Sequence, residues 1–327
     1  MTQNLSSYKQ YAADHSVFEE NVVSVSPKWL TNVRHKALES FDKIGFPTAT
    51  RGNEQWKYTN VRPIARATFH YPFDAPSKRI TISSIKKHSP WNDNWTRLVF
   101  VDGHFSESLS SNLTINNGLV ATNLMDAVRQ NGNKIGQYLG QHAVVKDNGF
   151  TAINTAFIHD GAFVQVPQDS SPSSPLHLLF ITTERPTTTV SYPRVLIITE
   201  PRSNMTIVES YIGLSQMSYF TNAVTELIAG DESRIDHYRY LDEGTNAYHV
   251  SNVQVTLGRN SSFRYTSFAT GSKLARNELS VLMNAPGSSC DLSGLYSTSN
   301  NEHIDNHIDI DHAQPHTSSN QFFKGIL

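Results

Sequence analysis

The chain has 327 residues, 17% of them charged, and a formal net charge of −2. No basic excess points to nucleic acid, and the lone cysteine, Cys290, excludes an intrachain disulfide or a CxxC-type zinc or cluster motif within one copy. The length suits one large domain or two ordinary ones, and the N-terminus has no apolar core of signal-peptide length. These features favour a soluble, cytoplasmic protein.

Residues 1–45 read as helical. In "SPKWLTNVRHKALESFDKIGFP", Ser26 and Pro27 are a start signal and Gly45 a stop. Trp29, Val33, Ala37 and Phe41 recur every four residues, with Leu30, Leu38 and Ile44 beside them, so a packed terminal helix is expected. Residues 46–120 are mixed, with a strand-like "RLVFVDGHF" at 97–105, and residues 121–146 read as helix again. The longest strongly apolar run, "LHLLFI" at 176–181, is far too short to span a membrane. From about residue 150 short apolar strands alternate with turns, which divides the chain into an N-terminal helical, mixed α/β region over 1–149 and a β region over 150–327.

The β region repeats. "ITEPRSNMTIVESY", "LIAGDESRIDHYRY", "TLGRNSSFRYTSF" and "MNAPGSSCDLSGLY" each hold a strand end, a Gly/Pro turn, a Ser/Asn-containing bend and a second strand closing on an aromatic. Those aromatics are Tyr211, Tyr240, Phe268 and Tyr296, about 28 residues apart. A helix-free unit of this period predicts stacked β rungs, each covering its neighbour's edges and apolar faces. An evenly spaced β-sandwich is the competing fold.

The end of the chain, "NNEHIDNHIDIDHAQPHTSSNQFFKGIL", holds candidate metal ligands His303, His307, Asp311, His312 and His316. On a strand, His303, Asp305, His307, Asp309 and Asp311 share one face and Ile304, Ile308 and Ile310 the other, with Asn306. Alternate ligands then lie about 6.5–7 Å apart, so an ion needs donors from elsewhere as well. A strict repeat step puts Asp309 on Val281 and Asp311 on Met283, facing inward; a slip of one residue turns the isoleucines in and the acids out. "HIDIDH" also resembles the H-x-H-x-D-H ligand motif of metallo-β-lactamase-type hydrolases, with Asp in place of the second His and too little chain downstream for the other ligands. A solvated polar strand face is the simpler reading, and a site shared with a partner chain stays open. The acidic pairs Asp231–Glu232 and Asp242–Glu243 raise a carbohydrate-processing solenoid, which needs paired carboxylates in a groove. Cys290, after "APGSS", has no visible base. The chain carries no GxxxxGK[ST], no strand–GxGxxG–helix and no GxSxG.

Taken together, "GFPTATRGNEQWKYTNV", "FVDGHF", "TAINTAFIHDGAFVQVP", "GSKLARNELSVLMNAPGSSCDLSGLY" and "HIDNHIDIDHAQPHTSSNQFFKGIL" resemble the SufB/SufD family of iron–sulfur cluster assembly. The E-x-W-K-Y-T element favours the SufD type. The resemblance implies a mainly β chain, a right-handed parallel β-helix preceded by a helical region. It also implies a non-enzymatic scaffold that pairs with a SufB-like subunit and a SufC-like ABC-type ATPase. It implies no cofactor held by this chain alone, the cluster being handled by the complex. In the family, K-G-I-L is followed by further rungs and by a C-terminal helical domain that docks SufC. The resemblance therefore leads us to expect a piece lacking both, with open strand edges that allow a homodimer. The alternative function is a metal-dependent β-solenoid or cupin-like enzyme using the C-terminal His/Asp cluster.

Overall fold

The computed structural model describes residues 2–22, 24, 26–48, 53–73, 80–111 and 118–327. Six helices occur among them: α1 (Thr2–Val22), α2 (Lys28–Ile44), α3 (Arg62–Arg66), α4 (Ile82–Ile85), α5 (Leu124–Ile135) and α6 (Gly149–Ala156). The first strands are β1 (Thr96–Val101), β2 (His104–Phe105) and β3 (Val120–Asn123). Then come β4 (Gly161–Val166), β5 (Leu176–Thr182), β6 (Val190–Ser191), β7 (Arg194–Thr199), β8 (Asn204–Gly213), β9 (Phe220–Ala229) and β10 (Arg234–Glu243). β11 (Tyr248–Leu257), β12 (Ser262–Gly271), β13 (Leu274–Met283), β14 (Ser289–Ser297), β15 (Ile304–Asp311) and β16 (Ser318–Ile326) follow.

The strands form two sheets that alternate along the sequence. One runs β16-β14-β12-β10-β8-β5-β1-β2, the other β15-β13-β11-β9-β7-β4-β3. From β8 onward each rung gives one strand to each sheet and every pairing is parallel, which defines a β-solenoid. The period read from the aromatics is close to the rung: Arg234 pairs with Ser262 in the following rung and with Asn204 in the preceding one, and Tyr240 pairs with Phe268, but Tyr211 and Tyr296 fall one residue out of step, opposite Leu241 and Ala269.

Each rung turns from one sheet to the other through a tight corner with a left-handed residue: Arg202, Glu232, Asn260, Gly287 and His316. A hydroxyl residue follows it. Ser203, Ser233, Ser261, Ser288 and Thr317 each donate to the carbonyl three residues back, at 2.6–3.1 Å. The Ser-containing bends of the sequence are these corners, their hydroxyls satisfying carbonyls that the ladders leave free.

The lumen is mainly apolar. Met205, Ile207 and Tyr211, then Ile235 and Leu241, then Phe263 and Tyr265 stack along one wall; Val253, Leu279 and Val281 belong to the other. β5 is buried on both faces. Leu176, Leu178 and Phe180 fill the lumen, while Leu179 and Ile181 pack under Ile85, which explains an apolar run with no alternation. His177, between them, lies edge-on to Trp95, and burial lowers its pKa to about 3.

The helical layer covers the second sheet. α2 spans the expected stretch and stops at Gly45, φ 61°. Its buried face is Leu30, Arg34, Ala37 and Phe41, turned slightly from the expected stripe, with Trp29 half-buried. The difference is Arg34, which no apolar pattern reveals: its Nε donates to Ile158 O at 2.8 Å, its Nη1 to Ser26 Oγ at 3.0 Å, and Glu19 lies 3.5 Å away. The helix expected over 121–146 ends at Ile135. Beyond it Gly140 takes φ 76°, and the backbone N–H groups of Gly140, His142 and Ala143 turn to Glu226 instead of continuing a helix.

Candidate functional site

β13 and β15 pair with Val281 opposite Ile310 and Ser280 opposite Asp309. The one-residue slip therefore occurs. Ile304, Ile308 and Ile310 pack against the lumen and Asp305, His307, Asp309 and Asp311 point outward. The slip costs nothing in the core because it keeps isoleucine over Ala275, Leu279 and Val281.

The five candidate ligands do not converge. His303 lies beside the helical layer, its Nε2 3.2 Å from Thr59 Oγ1. His307 is half-buried opposite Glu278, and Asp311 is exposed at the end of β15. His312 has Nδ1 2.7 Å from Thr317 Oγ1 and Nε2 3.0 Å from Ser319 Oγ, so hydroxyls engage both ring nitrogens. His316 is the exposed left-handed corner residue, in the place of Asn260 and Gly287. Among the described residues no three His, Cys, Asp or Glu side chains group where they could hold a metal ion. The acidic pairs also separate. Asp231 caps a corner by accepting from Arg259 N at 2.9 Å, while Asp242 points outward and Glu243 into the lumen.

What the end of the chain does join is the signature stretch 54–59. Trp56 is buried, with the Arg276 guanidinium 4.4 Å from its ring centroid. Asp305 accepts from both Arg276 and Thr59, and Arg276 Nη2 lies 3.2 Å from Glu278 Oε1. Glu278 in turn accepts from Asn148 Nδ2 at 2.6 Å, and Asn148 caps α6 through Phe150 N and Thr151 N. One buried arginine thus links the stretch 54–59 between α2 and α3, the α6 cap and two successive rungs. Composition hid this clip, because Arg276 sits in a polar-looking strand and Trp56, Thr59 and Asn148 come from the other half of the chain.

A second clip sits on the same sheet. Glu226, fully buried, accepts from Arg194 Nη2 at 2.5 Å and from the backbone N–H of Gly140, His142 and Ala143 at 2.9–3.0 Å. Burial opposes ionisation, yet Arg194 first and then the three amides hold the carboxyl below its ordinary range.

Inside the lumen β10 contributes polar side chains on the face that carries Ile235 and Leu241. His237 Nε2 lies 3.1 Å from Glu209 Oε2, Arg239 Nε 3.2 Å from Glu209 Oε1, and Tyr211 donates to Glu209 at 2.8 Å. Against burial, Arg239, His237 and Tyr211 bring the Glu209 pKa down to about 2. Glu243 accepts from Thr221 at 2.7 Å and lies 2.8 Å from His249 Nδ1. Strict alternation in "RIDHYRYLDE" places His237, Arg239 and Glu243 inward. A charged residue at an inward position is the signal that sequence reasoning passed over.

The fold and these clips define a parallel β-solenoid with a helical layer locked to one of its sheets. The model of the SufBD protein N-terminal region matches residues 5–178, and the SufBD core domain of SUF-system FeS cluster assembly matches 180–327. The chain belongs to the SufBD family. It is 26% identical over 309 residues to the iron–sulfur cluster assembly SufBD family protein slr0076 of Synechocystis, covering 91% of this chain and 66% of the relative. It is 24% identical over 328 residues to protein ABCI7, chloroplastic, of Arabidopsis thaliana, with 94% and 65% covered. To the iron–sulfur cluster assembly protein SufD of Bacillus subtilis it is 26% identical over 247 residues, with 73% and 54% covered. The chain thus spans less than two thirds of the length of these curated relatives.

Proposed function

We propose that the chain is a SufD-type, non-enzymatic scaffold subunit of an iron–sulfur cluster assembly complex, pairing with a SufB-like subunit and served by a SufC-like ATPase in the cytoplasm. The observation that carries this reading is the pair of family matches, over 5–178 and 180–327, with a relative named SufD in B. subtilis. The physical logic supports it. A parallel solenoid is a stiff rod that offers partners a long, regular surface. Among the described residues no helix is long and apolar enough to cross a membrane. The cluster is cargo in this scheme, held by the assembly and not by His303, His307, Asp311, His312 or His316, which face different neighbours.

Co-expression of the full chain with SufB-like and SufC-like proteins tests the proposal by size-exclusion chromatography with light scattering. The expected result is a stable complex containing the SufB-like subunit. Failure to bind either protein would sink it. Stoichiometric metal on the isolated chain, lost on His312→Ala, would favour the metal-dependent enzyme instead.

A further inference from the structure

The stretch Glu54–Thr59 divides by burial. Trp56 and Thr59 are committed to the clip on Arg276 and Asp305, but Lys57 and Tyr58 face solvent. Tyr58 is 81% exposed, and Lys57 Nζ lies 5.4 Å from its ring centroid. α3 follows at once with Arg62 and Arg66 exposed one turn apart, while Ile64 between them is buried. From the solenoid, Lys273 Nζ lies 5.7 Å from the ring of Tyr248, which meets Phe69 edge-on. That places a fourth cation beside the same segment. Between residues 53 and 70 the only acid is Glu54. Among the described residues no carboxylate is ion-paired with Lys57, Arg62, Arg66 or Lys273. Several exposed cations elsewhere are ion-paired: Lys86, Arg129, Arg202, Arg259 and Arg264 each have a carboxylate within 3.3 Å.

We propose that Lys57, Tyr58, Arg62 and Arg66 form a docking surface for an acidic polypeptide segment of a partner protein. The cations meet its carboxylates and the Tyr58 ring anchors an apolar side chain within it. Tyrosine and arginine are the side chains that carry interface energy most often. The buried Trp56 and Thr59 hold the exposed pair on a fixed backbone, so docking orders little. A duplex nucleic acid fits less well, since three cations, or four with Lys273 beside them, fall short of the roughly 6–10 phosphate contacts of a typical binder. The proposal goes beyond the scaffold reading and stands or fails separately from it.

The test is fluorescence anisotropy of the full chain with a labelled Glu-Glu-Leu-Glu-Glu-Leu-Glu-Glu peptide at low salt. Saturable binding is expected, weakened about tenfold by Arg62→Glu with Arg66→Glu, about fivefold by Tyr58→Ala, and not at all by Lys87→Glu with Arg234→Glu on the side of the other sheet. All substituted side chains are exposed, so thermal melts should coincide with wild type; if the double charge reversal melts lower, Arg62→Gln with Arg66→Gln replaces it. Absence of binding, equal binding of the all-glutamine counterpart, equal loss in the Lys87/Arg234 variant, or tighter binding of a duplex DNA would each overturn the proposal. So would a dimer of the chain that dissociates on Arg62→Glu, since the occupant would then be a second copy.

Discussion

Glu226→Gln removes a charge that four donors share. The carboxylate takes Arg194 and Gly140 on Oε2 and His142 and Ala143 on Oε1. An amide must aim its NH2 at two of these donors, whichever way it is turned, and leaves the Arg194 guanidinium buried without a counter-charge. Removing one partner of a buried pair costs about 3–5 kcal/mol. At roughly 2–4 °C per kcal/mol for large domains, the melting temperature should fall by about 10 °C. The damage should be local as well: hydrogen exchange over residues 138–146 should speed up by at least about tenfold, because the three amides lose an ionised acceptor. Replacing both Arg194 and Glu226 with apolar residues should recover part of the melting loss but not the exchange protection, since the amides remain unserved. Circular dichroism melts and peptide-level exchange check both statements. A melting change below about 2 °C with unchanged exchange at 138–146 would refute the reasoning.

Glu209, with its pKa lowered to about 2, binds protons less readily folded than unfolded. It should contribute about 3 kcal/mol that is fully present above about pH 4.5 and lost as pH falls towards 2. Glu209→Gln should flatten the acid limb of a urea-unfolding series over that window. Asp160 runs the other way: burial raises its pKa to about 7 against the N–H groups of Phe105 and Gly161. The folded state holds that proton longer, so stability should fall as pH rises from about 4 to 7 by up to about 4 kcal/mol. Asp160→Asn should remove that slope whatever its effect on absolute stability. Gly161→Ala should unfold the start of β4, because a Cβ there would stand 1.8 Å from Arg194 O at a φ of 144°. A soluble G161A variant with wild-type melting would contradict this.

The rungs were legible because their determinants are local. A left-handed corner, a hydroxyl residue and alternating apolar positions recur within each unit, and the ladder repeats them. The helix ending at Gly45 was legible for the same reason. The clips were not. Arg276 and Asp305, in the last rungs, meet Trp56 and Thr59 from the helical layer, and Glu226 serves amides that precede the solenoid. No period marks a charged side chain that is buried because another element arrives on top of it. The terminal histidines were legible mainly as a polar strand and turn, and His316 occupies a corner that needs only a residue tolerating positive φ, as Asn260 and Gly287 do. The register at β15 rests on a step of 29 residues from β13 where β11 to β13 takes 26, a change that a strict repeat cannot set.

The two edges of the tube are unlike. Corners carrying the left-handed residue span 200–203, 230–233 and 258–261, equal in length, then 284–288 and 312–317. The opposite connections run 214–219, 244–247, 272–273 and 298–303, shrinking and then growing back. One edge therefore holds a fixed length over three successive rungs before it lengthens, while the other varies at every rung and acts as slack. Insertions on the slack edge can lengthen a rung without shifting which side chains face in, so that margin is where this architecture can acquire new loops while its lumen stays fixed.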